Sequence, residues 1–357
     1  MGLDVIVNMK RGVTIKEIAR AAGVSPMTVS RVLNCRPGVR EETRRKVLRI
    51  VEELNYRPNL LARGLVTRRS GTIGMIITTI KNPFYLELAQ AVEEEARAHG
   101  YNIILCCARF EQELEAEHIQ ELKRRGVDGI ILTSAHTRDE EVARLVEEGV
   151  PVVLVNRRVL EPDLSGKVDF VGVDNRAGGK VAVRHLIEMG HWRIGIIRGG
   201  MESSVTLERL EGAREALEEV SLPWDEELVI EGDFLRESGY EGAKKLMALD
   251  DPPSAIFCLN DYMALGAYDA LLEMGFRVPE DVALVGFNDV EFSSLRMIGL
   301  TTVSQKTYFM GQTAVRLLCS RVRGEGEVRE VIFSPELVIR QSCGYHRRAK
   351  RRKEGVL

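Results

Sequence analysis

The fold of the N-terminal part of the chain is decided by residues 14–34, which read TIKEIARAAGVSPMTVSRVLN. Thr14, followed three residues later by Glu17, has the form of a capping box at a helix N-terminus. Apolar residues then recur at helical spacing up to Gly23, a residue suited to the backbone conformation of a helix end. A serine cap and a first-turn proline at 25–26 indicate that a second helix starts at once. Two short helices on either side of a tight turn predict a helix-turn-helix.

The second predicted helix has one face that its own core does not need. Its expected buried stripe consists of Val29, Val32 and Leu33. Four residues are left for the exposed face: Pro26, Met27, Ser30 and Arg31. A helix fits the major groove of DNA, where Arg31 could reach a guanine edge or a phosphate. A core position for Met27 is the alternative, and its place in the first turn favours exposure.

A third helix over 41–54 is predicted to complete a small three-helix domain. Its apolar positions are Val47, Leu48, Val51 and Leu54. Its basic residues are Arg40, Arg44, Arg45, Lys46 and Arg49. Some of these are expected to contact phosphates, although a solvated helix face explains most of them equally well. Arg40 stands where a small polar cap is expected.

The net charge of −3 over 357 residues conceals a strong asymmetry along the chain. Residues 1–69 carry +9, residues 70–344 carry −17 and residues 345–357 carry +5. A basic head on an acidic body suggests a polyanion as partner of the head. A merely solvated helical surface is the alternative, and charge alone leaves the two interpretations about even.

From residue 72 onward the sequence predicts an α/β body. Short β-branched runs are typical of buried parallel strands, and they occur at 73–80, 103–108, 127–132, 150–155, 193–198, 228–231, 254–259 and 282–287. Segments with helical periodicity lie between them. Because the alternation occurs once before and once after residue 170, we expect two doubly wound parallel-sheet lobes, with ligands at the carboxyl ends of the strands.

Polar and aromatic groups follow these predicted strands at the same topological place. The candidates are Asn82-Pro83-Phe84-Tyr85, Asn156-Arg157, Asp174-Asn175, Arg209, Asn260-Asp261 and Asn288-Asp289. Taken singly, each is more often a helix cap, and Asn260 could simply start the helix that follows. Their recurrence predicts a cleft for a polyhydroxyl or heterocyclic ligand.

Other classes of protein are disfavoured by what the sequence lacks. It contains no nucleophile elbow, phosphate-binding loop or His-Glu-x-x-His motif, so no enzyme activity is expected. The six cysteines have no metal-ligand spacing, and we expect reduced thiols in a cytoplasmic protein without metal or cofactor. No apolar run is long enough for a membrane span, and the N-terminus does not resemble a secretion signal.

A short segment between head and body is expected to be conditionally folded. Residues 59–65 have helical spacing of apolar groups, but such a short isolated helix is unstable in water. Leu65 could wedge into a base step and kink DNA from the minor groove. A plain linker helix is the alternative.

Taken together, these motifs resemble the lactose-repressor (LacI/GalR) family of transcriptional regulators. The specific match is the N-terminal run at 14–34, and it continues through Asn55-Tyr56-Arg57-Pro58-Asn59 and Ala62-Arg63-Gly64-Leu65. Weaker matches in the body include Asn82-Pro83-Phe84-Tyr85, Asn260-Asp261 and Gly286-Phe287-Asn288-Asp289. The resemblance runs from about residue 13 to 343.

The resemblance implies a homodimer that binds palindromic operator DNA, generally as a repressor. It implies that residues 26, 27 and 31 read bases and that 59–65 forms a hinge helix with Leu65 at the operator centre. The DNA-binding set is Thr14, Ser25, Pro26, Met27, Thr28, Ser30, Arg31, Asn34, Tyr56, Asn59, Ala62, Arg63 and Leu65.

The body resembles the core of type I periplasmic binding proteins. By match, the effector cleft is lined by Thr78, Phe84, Tyr85, Asn156, Arg209, Phe234, Asn260, Asn288 and Gln305. A sugar or sugar derivative is the favoured effector and a purine the second. Asn288 replaces the aspartate of many relatives, which puts a two-acceptor grip on a sugar diol in question. Control by a phosphorylated protein, as in catabolite-control relatives, is an alternative, and a transport solute-binding protein is disfavoured.

These inferences give the expected domain boundaries. An uncertain start covers 1–12, the helix-turn-helix domain 13–57, and the hinge and linker 58–70. The effector-binding and dimerisation domain is expected over 71–344, with an N-lobe at 71–172 and 304–333 and a C-lobe at 173–303 and 334–344. The basic tail at 345–357 lacks apolar heptads and gives no support for a tetramerising coiled coil.

Overall fold

A computed structural model describes residues 13–33, 37–56 and 69–344. The chain divides into two compact units, residues 1–70 and residues 71–357, and each is described here by itself. Among the described residues, no helix has the length and apolar character needed to cross a membrane.

Three helices form in the described residues of the first unit: α1 (Ile15–Ala22), α2 (Pro26–Leu33) and α3 (Glu41–Glu53). The capping box is present, since the Thr14 amide donates to Oε2 of Glu17 at 2.7 Å and the Glu17 amide donates to Oγ1 of Thr14 at 3.4 Å. Gly23 ends α1 in the left-handed region with φ 66°. Ser25 accepts the Thr28 amide at 3.1 Å. The predicted helix-turn-helix is therefore confirmed, with a core of Ile18, Ala19, Ala22, Val29, Val32 and Val47.

The third helix differs in detail from its prediction. Leu48 and Leu54 are 46% and 39% exposed, and Ile50 packs against the core instead. The helical period explains this, because Val47, Ile50 and Val51 share one face while position 48 points away from it. The side chain of Arg40 makes no capping hydrogen bond at the N-terminus of α3, which agrees with the expectation that a small polar residue would stand there.

The second unit contains two six-stranded sheets. The twelve strands are β1 (Thr72–Ile77), β2 (Asn102–Cys107), β3 (Gly129–Leu132), β4 (Val152–Val155), β5 (Asp169–Val173), β6 (Ile194–Arg198), β7 (Val229–Glu231), β8 (Ala255–Cys258), β9 (Ala283–Asn288), β10 (Thr301–Ser304), β11 (Glu330–Phe333) and β12 (Glu336–Val338). Their orders are β11-β5-β4-β3-β1-β2 and β12-β10-β9-β8-β6-β7. All neighbours are parallel except β10 and β12. The prediction of two doubly wound parallel sheets is confirmed.

Helices cover both faces of each sheet. They are α4 (Pro83–Ala98), α5 (Gln112–Arg124), α6 (Glu140–Glu147), α7 (Asn175–Glu188), α8 (Ser204–Glu218), α9 (Arg236–Met247), α10 (Asp261–Glu273) and α11 (Thr307–Val322). We call β1–β5 and β11 with α4–α6 and α11 the N-lobe, and β6–β10 and β12 with α7–α10 the C-lobe. The chain crosses between the lobes three times, because α11 and β11 return to the N-lobe after β10.

Glycines bring neighbouring helices of the C-lobe unusually close. A Cβ atom on Gly212 of α8 would lie 1.9 Å from the carbonyl oxygen of Arg176 in α7. On Gly266 of α10 it would lie 1.8 Å from the carbonyl oxygen of Arg236 in α9. These two helix pairs can pack backbone to backbone only because these positions lack a side chain.

Candidate functional site

A small cavity lies between the N-lobe and the C-lobe, at the carboxyl ends of the parallel strands. It has about 280 Å³ of empty volume, part of which is open to solvent. Its lining residues are Asn82, Phe84, Tyr85, Asn156, Arg157, Val205, Arg209, Phe234, Asn260 and Asn288. Seven of the nine residues predicted for the effector cleft therefore line one cavity. This is the crevice position at which open α/β sheets bind ligands.

The remaining two predicted residues lie outside the cavity lining. Thr78 is fully buried at the end of β1, and its hydroxyl is 3.5 Å from the Thr133 carbonyl oxygen, with which it pairs. Gln305 is also fully buried, and its Nε2 donates to Oδ1 of Asn288 at 2.9 Å. Gln305 thus orients a cavity residue, whereas Thr78 joins two strands of the N-lobe.

Aromatic rings come from both lobes. In the N-lobe, Phe84 and Tyr85 start α4 and meet edge to face, with ring centroids 5.0 Å apart. Asn82 caps this helix by accepting the Phe84 amide at 3.1 Å. In the C-lobe, Phe234 is held with φ 66°, in the left-handed region that is costly for a side chain of this size. Such strained positions concentrate at ligand sites.

Arg209 is the largest fully buried side chain of the chain's described part. Its Nε donates to Oδ1 of Asn175 at 2.8 Å, and Nη1 donates to the carbonyl oxygen of Leu259. Its guanidinium carbon lies 3.4 Å from the ring centroid of Phe287. Burial lowers the pKa of Arg209 to about 9, and the carboxylate of Glu208 opposes that shift. The guanidinium still carries its charge at neutral pH and is fixed in place.

Besides Asn82, three asparagines contribute to the polar lining of the cavity. Asn260 caps α10 by accepting the Met263 amide at 2.7 Å and also donates to the Phe234 carbonyl oxygen at 2.9 Å. Asn156 and Asn288 both have positive φ, 69° and 122°. Oδ1 of Asn156 is buried and has no hydrogen-bond partner among the described residues. A buried acceptor of this kind is costly unless a ligand or water donates to it.

Arg157 is a cavity residue that was noted beside Asn156 in the sequence but left out of the predicted cleft. It is 2% exposed, and its guanidinium carbon lies 5.8 Å from the Phe110 ring centroid and 5.4 Å from that of Phe234. The only sequence signal for it is its place after β4, since an arginine there is equally typical of a solvated loop.

Behind Arg157 the N-lobe buries a carboxyl group. Glu115 of α5 is 2% exposed, and burial together with the nearby charge of Asp139 raises its pKa to about 8. Asp139 itself caps α6 by accepting the Val142 amide at 3.1 Å. The raised pKa favours the protonated form of Glu115 at neutral pH, which no feature of the sequence indicated.

The loop that follows β9 is held by a second buried acid. Asp261 accepts hydrogen bonds from the Val290 amide and the Ser293 hydroxyl, both at 2.9 Å, and from the Thr302 hydroxyl at 2.5 Å. Burial raises the pKa of Asp261 to about 6. Of the two candidates at 260–261, Asn260 faces the cavity and Asp261 braces the loop beside it.

In the first unit, α2 presents the expected exposed face. Met27 is 69% exposed, Pro26 and Arg31 are exposed, and Ser30 is half-buried. Three other members of the predicted DNA-binding set, Thr14, Ser25 and Thr28, take part in helix-capping hydrogen bonds. Tyr56 is half-buried against the core. The members that fall outside the described residues are Asn34, Asn59, Ala62, Arg63 and Leu65.

A helix-turn-helix unit joined to a two-lobed ligand-cleft unit defines a ligand-responsive DNA-binding transcriptional regulator. Residues 14–59 match the family model described as "Bacterial regulatory proteins, lacI family". Residues 70–346 match "Periplasmic binding proteins and sugar binding domain of LacI family". The chain belongs to the LacI family and is a DNA-binding transcriptional repressor, not an enzyme, as the sequence predicted.

Similar proteins extend over nearly the whole chain. The HTH-type transcriptional repressor PurR of Mannheimia succiniciproducens is 36% identical over 92% of this chain and 98% of its own length. PurR of Pasteurella multocida is 38% identical with the same coverage. Among solved structures, the lac repressor dimer bound to operator and the anti-inducer ONPF has a TM-score of 0.81 at 29% identity, over 93% of this chain and 99% of that one. The CelR–cellobiose complex has a TM-score of 0.70 at 34% identity, over 92% and 99%.

Proposed function

We propose that the chain acts in the cytoplasm as a homodimeric repressor of palindromic operators, controlled by a small molecule bound in the cavity between its lobes. The cavity supports this proposal through one observation above all, the buried and unpartnered Oδ1 of Asn156 among the residues that line it. A ligand that donates a hydrogen bond there removes the cost of a buried acceptor.

The proposed effector is a sugar or sugar derivative. The C–H faces of a pyranose or furanose suit the rings of Phe84 and Phe234, and its hydroxyls suit Asn156, Asn288 and Arg209.

A purine is the second candidate. The same aromatic rings suit a flat heterocycle, and the likeness to repressors named PurR favours it. The preference for a sugar is not confirmed by the relatives: the PurR repressors support a purine, whereas two solved neighbours are complexes with cellobiose and with ribose. Either candidate can donate a hydrogen bond to Oδ1 of Asn156, a sugar through a hydroxyl and a purine through an N–H group.

On the DNA side, we propose that Met27 and Arg31 of α2 read bases in each half-site. Exposure of both side chains supports this role. The hinge helix over 59–65 is proposed from the sequence, as these residues lie outside the described part. Effector binding would shift the lobes and change the spacing of two hinge segments in the dimer, whose folding is the bistable element.

A thermal-shift screen with monosaccharides, disaccharides, nucleosides and free purines tests the effector class. We expect a sugar to raise the melting temperature most. Stabilisation by purines alone would show that the effector is a purine and not a sugar, and no stabilisation by any compound would favour control by a protein partner.

Leu65→Ala tests the proposed hinge helix. Operator affinity should fall while effector affinity is unchanged, and an unchanged operator affinity would rule out insertion of Leu65 into a DNA base step.

A further inference from the structure

A chain of polar contacts joins the buried arginine of the cavity to the opposite lobe. Nε of Arg209 donates to Oδ1 of Asn175 at 2.8 Å, and Nδ2 of Asn175 donates to Oε2 of Glu208 at 3.0 Å. The other oxygen of Glu208 lies 3.3 Å from Nε of Arg158, which belongs to the N-lobe. Glu208 is thus the C-lobe residue through which this series of contacts reaches the N-lobe.

Arg158 is held by groups from both lobes at once. Its amide donates across the cleft to the Ser204 hydroxyl at 3.0 Å, and its guanidinium pairs with Glu330 of β11 in its own lobe. The guanidinium carbon lies 4.2 Å from the Phe170 ring centroid, which fixes its plane. The contact of Arg158 with Glu208 is an ion pair rather than a hydrogen bond, since Nε of Arg158 has no hydrogen-bond partner among the described residues.

We propose that Glu208 is a positioning residue that ties the orientation of Arg209 to the closure of the two lobes. One carboxylate oxygen of Glu208 contacts Asn175, which holds Arg209, and the other contacts Arg158. A movement of Arg158 relative to the C-lobe therefore displaces Glu208 and, through Asn175, Arg209. Burial raises the pKa of Glu208, and the charge of Arg158 is the first effect that opposes it. The inference rests on the proposed function only in taking Arg209 as an effector contact.

A neighbouring glutamate provides a matched control. Glu211 lies on the same helix and pairs at 3.5 Å with Arg176 of α7, within the C-lobe. Glu211→Gln therefore removes the same charge from α8 without touching a contact between lobes. Glu208→Gln keeps the shape of the side chain and removes the charge that pairs with Arg158.

Lobe closure can be followed by hydrogen exchange and mass spectrometry on the full chain without ligand, because opening of the lobes exposes the amides that donate across the cleft. Two amides donate across the cleft, Thr137 to the Glu202 carbonyl oxygen at 2.8 Å and Arg158 to Ser204. In Glu208→Gln, peptides containing these amides should exchange roughly 5- to 10-fold faster, because local opening becomes easier. Glu211→Gln should exchange like the wild type.

Two further variants test the two ends of the chain of contacts. Arg158→Gln removes the ion pair from the N-lobe side and should speed the same peptides. Asn175→Leu leaves the ion pair and cuts the link to Arg209, and it should also speed exchange at Arg158, by several-fold. Equal exchange in Glu208→Gln and wild type, or faster exchange spread over the whole C-lobe, would overturn the proposal.

The same measurement with D-ribose and with hypoxanthine separates this inference from the proposed function. Protection of the two cross-lobe peptides by either compound should be smaller in Glu208→Gln than in wild type. If neither compound nor any other in the screen protects the wild type, the proposed small-molecule control fails. The ligand-free comparison of the variants still decides the role of Glu208.

Discussion

The guanidinium carbon of Arg157, in the N-lobe, lies 5.4 Å from the ring centroid of Phe234, in the C-lobe. Phe110 of the N-lobe covers the same guanidinium at 5.8 Å. Arg157 is thus held between a ring of its own lobe and a ring of the opposite lobe, at the wall of the effector cavity. A ligand that stacks on Phe234 therefore meets a side chain whose position depends on lobe closure.

Replacing the C-lobe ring should weaken effector binding. Phe234→Leu keeps apolar volume but removes the ring face offered to both Arg157 and the ligand, and we expect roughly tenfold weaker binding of the sugar that gives the largest thermal shift. Isothermal titration calorimetry measures the affinity. Phe110→Leu is the control, because that ring touches Arg157 but is absent from the cavity lining. Equal losses in both variants would count against direct stacking on Phe234.

The buried Glu115 should make stability depend on pH. Its folded-state pKa of about 8 lies above the ordinary value of 4.5, so the folded protein holds a proton that the unfolded chain releases. Its contribution to stability is full below about pH 4.5 and is lost as pH rises through about 8. The expected slope in this window is about 1.4 kcal/mol per pH unit.

Glu115→Gln tests this pH dependence, because an amide cannot titrate. Urea unfolding between pH 5 and pH 9 (about these limits) should show that the variant loses less stability than the wild type as pH rises. Glu113→Gln on the exposed side of the same helix is the control and should follow the wild type. Parallel curves for all three proteins would mean that Glu115 is ionised in the folded state.

Adding a methyl group at the contact of α7 and α8 should destabilise the C-lobe. The Cβ of Gly212→Ala would lie 1.9 Å from the Arg176 carbonyl oxygen, so the helices must move apart. We expect a loss of about 1–3 kcal/mol in the free energy of unfolding, larger than the gain in helix propensity. Glu211→Ala, one residue earlier and exposed, should change it little. A Gly212→Ala variant as stable as the wild type would show that the helix pair is more loosely packed than described.

Two arginines of the first unit should differ in their effect on DNA binding. Arg31→Ala, on the exposed face of α2, should weaken binding to a selected operator by roughly 10- to 100-fold and relax sequence preference at one base pair. Arg45→Ala, on α3, should weaken binding to all duplexes alike and reduce the salt dependence. Fluorescence anisotropy with operator and scrambled duplexes measures both. Equal loss on both duplexes for Arg31→Ala would assign it to the phosphates.

The sequence predicted best where a local pattern determines the local structure. Capping residues and helical spacing were enough for the helix-turn-helix, with Thr14, Gly23 and Ser25 in the roles expected of them. Strand runs predicted the two sheets but missed β5, β10, β11 and β12. The β5 run starts with a buried aspartate, Asp169, which pairs with Arg321 of α11, and a charged residue breaks the apolar pattern of a buried strand.

The residue pattern alone predicted the cavity only to the level of strand ends, and the family resemblance added Phe234. Asn156 and Asn288 follow strands, so topology brings them together whatever their side chains do. Thr78 lies at an equivalent place but turns to a neighbouring strand, and Arg157 turns into the cavity. Which way a side chain turns depends on packing between lobes, and residues distant in sequence decide that packing.

The central claim is that a small molecule in the cavity controls operator binding. The most direct test is titration of a selected operator duplex by fluorescence anisotropy, with and without the sugar found in the thermal-shift screen. We expect the sugar to change the operator dissociation constant of the wild type by roughly 5- to 150-fold, and that of Phe234→Leu much less at the same sugar concentration. A sugar that binds the wild type but leaves its operator affinity unchanged would contradict the account.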